Sequence, residues 1–305
     1  MKKIIFCLII ALFLTSCGLV QQKKEEIKIP GVHEGTKGIV LEFLTNSPPA
    51  EIYEERVFQI LVDVQNKGAA DVSNGMLVLG TEEQQISIES EKDTRFDLDG
   101  KSVFNPEGSK DIKEFRAKSK LLITGIESHE TAITATACYP YKTEATALVC
   151  IDTDLAGMVK TKPCKTQRIS MAGGQGAPVA ITSVEPKMMT HEDIEKIQPE
   201  FLIKVQNLGA GQALLKEKTY DACTGKALGS ETWNRVQVRA TLSETPLTCK
   251  PETVKLSGDT TVLCVLEQGI EKTKGTYTAP LSIEVEYGYL DRAVKKVNIK
   301  KLSSK

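Results

Sequence analysis

The residues of this chain best able to do chemistry are eight cysteines and three histidines, among 40 acidic and 39 basic residues in a total of 305. His33, His129 and His191 lie far apart, without the spacing of metal ligands. Neither a G-x-S-x-G elbow nor a P-loop is present. "GGQG", Gly173 to Gly176, lacks the strand-to-helix setting of a phosphate cradle and reads as linker. Acid pairs such as Glu54-Glu55 and Glu82-Glu83 are direct neighbours. On a strand, neighbours point to opposite faces and make poor acid/base partners. "DLDG", Asp97 to Gly100, carries two acids of a calcium loop but not the further spaced acids or the closing Glu of an EF-hand. It reads as a turn with glycine at positive φ, which leaves Asp97 and Asp99 as the weak calcium candidate. The expectation is a protein that is not an enzyme and carries no cofactor. A net charge of -1 and 5% aromatic residues also argue against a nucleic-acid partner.

The cysteine with the clearest setting is Cys17. It follows a basic start, "MKK", and an eleven-residue apolar run, Ile4 to Leu14, which is short for a membrane span and suits a signal peptide. "LTSC", Leu14 to Cys17, resembles the lipobox of exported lipoproteins. The resemblance implies cleavage before Cys17, lipid on its sulfur and an extracytoplasmic protein anchored to a cell-envelope membrane. The other reading of the stretch is an uncleaved anchor continuing through Val20. Removal of residues 1–16 takes away Lys2 and Lys3 and leaves 37 basic against 40 acidic residues, a charge of -3. A body of that charge does not hold anionic lipid unaided. One acyl chain is marginal, so at least two are expected. Residues 17–37 are polar, without sustained period, and read as a flexible tether. Its roughly twenty residues reach about 70 Å extended and average nearer 25 Å as a coil.

The elements that must position the remaining cysteines are strands. "VQNKGA", Val64 to Ala69, returns as "VQNLGA", Val205 to Ala210. Phe58, Ile60, Val62 and Val64 alternate with polar residues before the first copy, and Phe201, Ile203 and Val205 before the second. That period of two marks strands with one buried face. Asn66 and Gly68, with Asn207 and Gly209, then supply a sharp turn, since both residue types tolerate positive φ. Tyr139-Pro140-Tyr141 and Tyr287-Gly288-Tyr289 repeat at an offset of 148 against 141 for the turns, so the second copy has gained about seven residues. Each Tyr-x-Tyr sits in a long alternating run that reads as a closing hairpin. "THEDIEKI", Thr190 to Ile197, reads as one or two helical turns capped by Thr190.

The pattern V-x-V-x-N-x-G, carried by Val62, Val64, Asn66 and Gly68 and again by Ile203, Val205, Asn207 and Gly209, resembles the CARDB group of cell-adhesion-related domains. The resemblance implies an all-β protein with two tandem immunoglobulin-like β-sandwiches, at 38–153 and 177–302, joined by a linker at 154–176. The antibody-type pair of inter-sheet cysteines around a core tryptophan is not visible, and Trp233 is the single tryptophan. The expected function is a non-catalytic adhesion, assembly or spacer module, held to the membrane by its lipid and meeting an envelope protein partner. The alternative is a lipoprotein that binds a ligand or glycan through loops at the sandwich ends. An aromatic-lined concave pocket would favour the alternative.

Cys7 leaves with the signal and Cys17 takes the lipid, which leaves Cys138, Cys150, Cys164, Cys223, Cys249 and Cys264. An even number in an exported chain points to disulfides, with fifteen possible connectivities. In the expected hairpin Cys138 and Cys150 share the outer face. The expectation is therefore Cys249 bonded to Cys264, across a turn at Leu256 to Asp259, and Cys150 bonded to Cys138 or Cys164. Cys223 takes whichever of those two is free, or stays reduced.

Overall fold

A computed structural model describes residues 31–258 and 260–302. The expected signal peptide, Cys17 and the expected tether up to Pro30 lie outside the described residues. The described residues form one compact unit. Its regular secondary structure is almost entirely β-strand. The first half runs β1 (Ile39–Phe43), β2 (Glu51–Tyr53), β3 (Val57–Asn66), β4 (Val72–Thr81), β5 (Ile86–Ile88), β6 (Asp93–Leu98), β7 (Lys110–Ser119), β8 (Ser128–Ile151) and β9 (Ile169–Ser170). The second runs β10 (Val179–Thr190), β11 (Lys196–Asn207), β12 (Gln212–Leu214), helix α1 (Thr219–Cys223), β13 (Arg235–Leu242), β14 (Thr245–Pro246), β15 (Thr248–Lys250), β16 (Thr253–Lys255), β17 (Thr260–Val265), β18 (Ile270–Glu271) and β19 (Tyr277–Lys300).

Three open sheets result. One has the order β1-β3-β7-β5, and one the order β15-β17-β11-β10-β9. The third, with nine strands and the order β14-β13-β19-β8-β4-β6 along its main path, draws on both halves. The expected closing hairpins are corrected here. β8 and β19 are single strands of 24 residues that pair antiparallel without interruption, Tyr277 opposite Ile151 and Lys300 opposite Ser128. At 3.3 Å per residue each is about 80 Å long. Alternation explains the continuity. On β8 the buried side chains Ile133, Ala135, Ala137, Tyr139, Tyr141, Thr143, Ala147, Val149 and Ile151 never change phase. Pro140 costs no ladder bond, because it stands where the backbone points away from β19.

Pro140 pairs with Gly288 at the midpoint of the two strands. The repeat offset of 148 carries one onto the other, so an approximate twofold axis passes between them. The first half of β8 and second half of β19 serve one sandwich, and the remaining halves serve the other. The two repeats are therefore fused through a shared sheet.

The Gly-rich segment expected as linker is also built in. Gly35 N–H donates to Gly173 O (2.9 Å), Gly176 N–H to Gly35 O (2.8 Å) and Ala69 N–H to Gly176 O (2.6 Å). The expected helix after Thr190 is absent: β10 ends at Thr190, and β11 begins at Lys196 after a turn. The helix that does form, α1, lies between β12 and β13, where the second copy has its extra residues. Among the described residues no helix is long and apolar enough to cross a membrane.

Candidate functional site

Both repeated motifs meet at the twofold axis. The rings of Tyr139, Tyr141, Tyr287 and Tyr289 form a cluster with centroids 5.4–6.2 Å apart. Each outer hydroxyl secures a turn. Tyr289 Oη donates to Asn207 Oδ1 (3.0 Å) and accepts from Gly211 N–H (3.0 Å). Tyr141 Oη makes the matching bonds to Asn66 Oδ1 (3.4 Å) and from Ala70 N–H (3.3 Å). Asn66 and Asn207 in turn accept from Gly68 and Gly209 N–H, both at 3.1 Å, and donate to Ala70 O and Gly211 O. Tyr139 Oη accepts from Ile39 N–H (3.0 Å) and donates to Asp291 Oδ2 (2.6 Å). Tyr287 Oη accepts from Val179 N–H (3.4 Å) and shares a hydrogen with Thr143 Oγ1 (2.9 Å).

Burial pushes the Tyr139 and Tyr287 hydroxyls well above the ordinary tyrosine range. Burial also raises the Asp291 carboxyl to about 6, against the opposing effect of its bond from Tyr139. This cluster holds the two repeats together.

The turn glycines are needed for a reason other than the expected one. Gly68 and Gly209 are not among the residues at positive φ, and neither are Asn66 and Asn207. A Cβ on Gly68 would lie 1.9 Å from Tyr141 Oη, and one on Gly209 2.4 Å from Tyr289 Oη. The glycines let tyrosine hydroxyls approach the backbone. In "DLDG" Gly100 is likewise not at positive φ; its Cβ would meet Ala69 O at 2.5 Å. Asp97 Oδ1 accepts from Asn74 N–H (2.6 Å), and Asp99 O accepts from Ser109 N–H (3.0 Å). Among the described residues no group of three or more His, Cys, Asp or Glu side chains could hold a metal ion.

Three disulfides join Cys138 to Cys223, Cys150 to Cys164 and Cys249 to Cys264. Cys249 and Cys264 stand opposite each other on β15 and β17. With β8 unbroken, Cys150 cannot fold back on Cys138, and takes the chain that returns after the strand. Cys138–Cys223 ties α1 to the outer face of β8. Met76, Leu214 and Leu290 bury beside it, with Trp233 packed on the group. Trp233 therefore does lie against a disulfide, but outside one sheet and not between two. Across this patch Tyr220 Oη donates to Asn74 O (2.8 Å), and the Arg95 guanidinium sits 4.5 Å from the Tyr220 ring centre.

A groove of about 870 Å³ is lined by β13, β19 and β8. Its floor is three rows of three residues: Arg239–Thr241, Ser282–Glu284 and Glu144–Thr146. One wall is formed by His33 and Glu34 with Met171, Gly174 and Gln175. Gln175 is buried and clamps the wall to the next strand, Nε2 donating to Ile181 O and Oε1 accepting from Ile181 N–H. Beside the floor, Lys216 and Arg239 hold the Glu286 carboxyl below its usual range. Lys142 is raised by Glu144, at 2.6 Å. Among the described residues no Phe, Tyr or Trp side chain lines the groove. The other two histidines lie elsewhere: His129 bonds Glu82 (3.2 Å) and His191 bonds Glu267 O (3.1 Å). No signal in the sequence pointed to the groove, because its wall comes from segments read as tether and linker.

No family model matches the chain, and no curated protein matches it. Among solved structures it has weak likeness to the secreted serine protease VesC from Vibrio cholerae, at 8% identity and a TM-score of 0.22, over 85% of this chain and 51% of that one. It has similar likeness to the CupB6 tip adhesin from Pseudomonas aeruginosa, at 10% identity and a TM-score of 0.18, over 89% of this chain and 100% of that one. The chain thus spans about half the length of the protease chain. Likenesses at these TM-scores do not establish a shared fold.

Proposed function

We propose that the protein is an exported lipoprotein, anchored through Cys17, whose two fused CARDB-like, immunoglobulin-like halves act as a non-catalytic assembly or spacer module at a cell-envelope membrane. The observation that carries the reading is the state of the six cysteines from Cys138 to Cys264, all of which are in disulfides. Such pairing belongs to an oxidising compartment. The lipobox resemblance supplies the anchor. The shared strand pair supports the spacer role, since two halves joined by about 80 Å of continuous sheet have no hinge between them.

The test is metabolic labelling with a fatty acid in cells that produce the chain or its Cys17→Ala variant. Label on the parent, none on the variant, and loss of the variant from the membrane fraction are expected. A variant that keeps its label and its membrane association refutes the lipid anchor. Blocked thiols without prior reduction would be expected at none of the six cysteines. Free thiols at Cys138 and Cys223 in protein from its native envelope would refute the export argument.

A further inference from the structure

We infer that the second half of β8 is a docking edge for an extended segment of a partner polypeptide, which adds as a strand beside residues 142–148 within the groove. The inference deepens the assembly role by naming its contact. It does not depend on the lipid at Cys17.

The argument starts from backbone direction. In an antiparallel pair, residues alternate between exchanging bonds with the partner and pointing away from it. On β19, Asn298 N–H donates outward to Ala50 O, and Pro280 O accepts outward from Ser243 N–H. The even-numbered residues of β19, and their partners on β8, therefore point away from the shared pairing. In the first half of β8 those groups meet β4, over Ile133 to Cys138. Beyond Cys138 no strand pairs with β8 on that side among the described residues. The N–H and C=O groups of Lys142, Glu144, Thr146 and Leu148 form an open edge. Such an edge is a template for another strand.

The twofold axis provides the comparison. The related edge is the second half of β19, and the fold covers both its ends, with β12 at Gly288 to Leu290 and β2 at Asn298 to Lys300. β2 shows that this kind of edge accepts a short parallel strand. The β8 edge has neither cover, and although the middle of the β19 edge, Arg292 to Lys296, is also open, it is the β8 edge that the groove runs beside. Thr143 Oγ1 donates to Val179 O (2.5 Å), which places the wall on the β8 side. The volume lies within the range of natural ligand pockets.

The floor gives the occupant its chemistry. Outward side chains of an added strand would continue the rows Gln237–Glu286–Lys142, Arg239–Glu284–Glu144 and Thr241–Ser282–Thr146. Lys142 and Glu144 pair with each other at 2.6 Å, and an acid beside Lys142 and a cation beside Glu144 would extend that pair across the added strand, with a hydroxyl beside Thr146. Inward side chains would meet half-buried Ala145 and Met171, which leave room for small apolar groups. The occupant is thus an alternating segment with a central cation.

The probe is a fluorescein-labelled hexapeptide, Glu-Val-Lys-Val-Thr-Val, titrated into the intact chain in detergent and read by anisotropy. Saturable binding is expected. It should weaken at least tenfold when alternate peptide nitrogens are methylated, or when lysine in the peptide is replaced by glutamate. The variant Thr146→Pro removes an N–H that points only to the edge, so it should lose at least tenfold in affinity with its circular dichroism and melting unchanged. The methylated peptide keeps the test decisive if that variant fails to fold. Absence of saturable binding, or equal binding of the methylated peptide or by folded Thr146→Pro, overturns the inference. So does a concentration-dependent dimer that Thr146→Pro abolishes, because the occupant is then a second copy. Loss of fatty-acid label at Cys17 leaves peptide binding unchanged, so the two readings fail separately.

Discussion

Replacement of Asp291 by asparagine should stabilise the protein at neutral pH and leave it nearly unchanged at pH 4. Asp291 is half-buried beside the tyrosine cluster and accepts the Tyr139 hydroxyl at 2.6 Å. Burial raises its carboxyl from 3.8 to about 6. The folded state therefore holds a proton that the unfolded chain has released between those two values. Stability from the protonated acid is fully present below about pH 4 and is lost as pH rises through 6. A shift of that size corresponds to about 2 to 3 kcal/mol at pH 7.5, allowing for partial exposure. Asparagine keeps an oxygen to accept from Tyr139 and carries no charge at any pH. Urea unfolding of both proteins at pH 4, 6 and 7.5, with disulfides intact, measures the difference. All other carboxyls titrate alike in the two proteins and cancel. The gap should grow from near zero at pH 4 to its full value at pH 7.5. A gap that stays constant with pH, or a less stable variant at pH 7.5, refutes the assignment of a buried ionised carboxylate.

Gly209→Ala should lower stability by about 2 to 4 kcal/mol, because its Cβ would meet Tyr289 Oη at 2.4 Å and Pro178 Cβ at 2.6 Å. Tyr289→Phe in the same chain should recover part of the loss, and thermal melts of the four proteins in the cycle check it. A fragment of residues 177–305 should fail to melt cooperatively by circular dichroism, since it lacks β8, the partner of every residue of β19. Cys138→Ser with Cys223→Ser removes a bridge between residues 85 apart and should cost about 4 to 5 kcal/mol in denaturant unfolding by the chain-entropy estimate.

Much of the fold was legible in alternation. The strands before both Asn-x-Gly turns stand where the period of two placed them, with Phe58 to Val64 and Phe201 to Val205 buried. The long strands do not turn as hairpins, and the phase is in plain view: from Ile133 to Ile151 the buried residues other than the bridged Cys138 and Cys150 all fall on odd numbers. A hairpin would be expected to bring glycine or asparagine between its arms, and "YPYKTEA" has neither. Length favours the hairpin reading, since strands of 24 residues are far beyond the usual 3 to 10. Strands that long pay only if both ends have a core to cover, and here each end covers a different sandwich. Propensity at Gly68 and Gly209 was equally misleading. A tyrosine 73 residues further on in one case and 80 in the other decides why no side chain fits there.

The candidate site follows from where the repeat fails. Residues that recur at the repeat offsets, namely the tyrosines and the Asn-x-Gly turns, are spent on joining the halves. The seven extra residues of the second copy were visible in the sequence, but their destination was not. The longer connection between β12 and β13, of which seven is only the net gain over the whole copy, carries α1 across to the first half, where Cys223 meets Cys138 and Tyr220 meets Asn74. The same asymmetry leaves related edges with unlike fates. β12 and β2 cover the β19 edge at both ends, while the matching edge of β8 faces a groove. A perfect twofold would have treated both edges alike. Residues 31–35 and 171–175, which have no matching motif in the other half, build the wall. A surface that exists once on a molecule whose framework exists twice is not required by the framework, and that is the physical reason to look for a partner there.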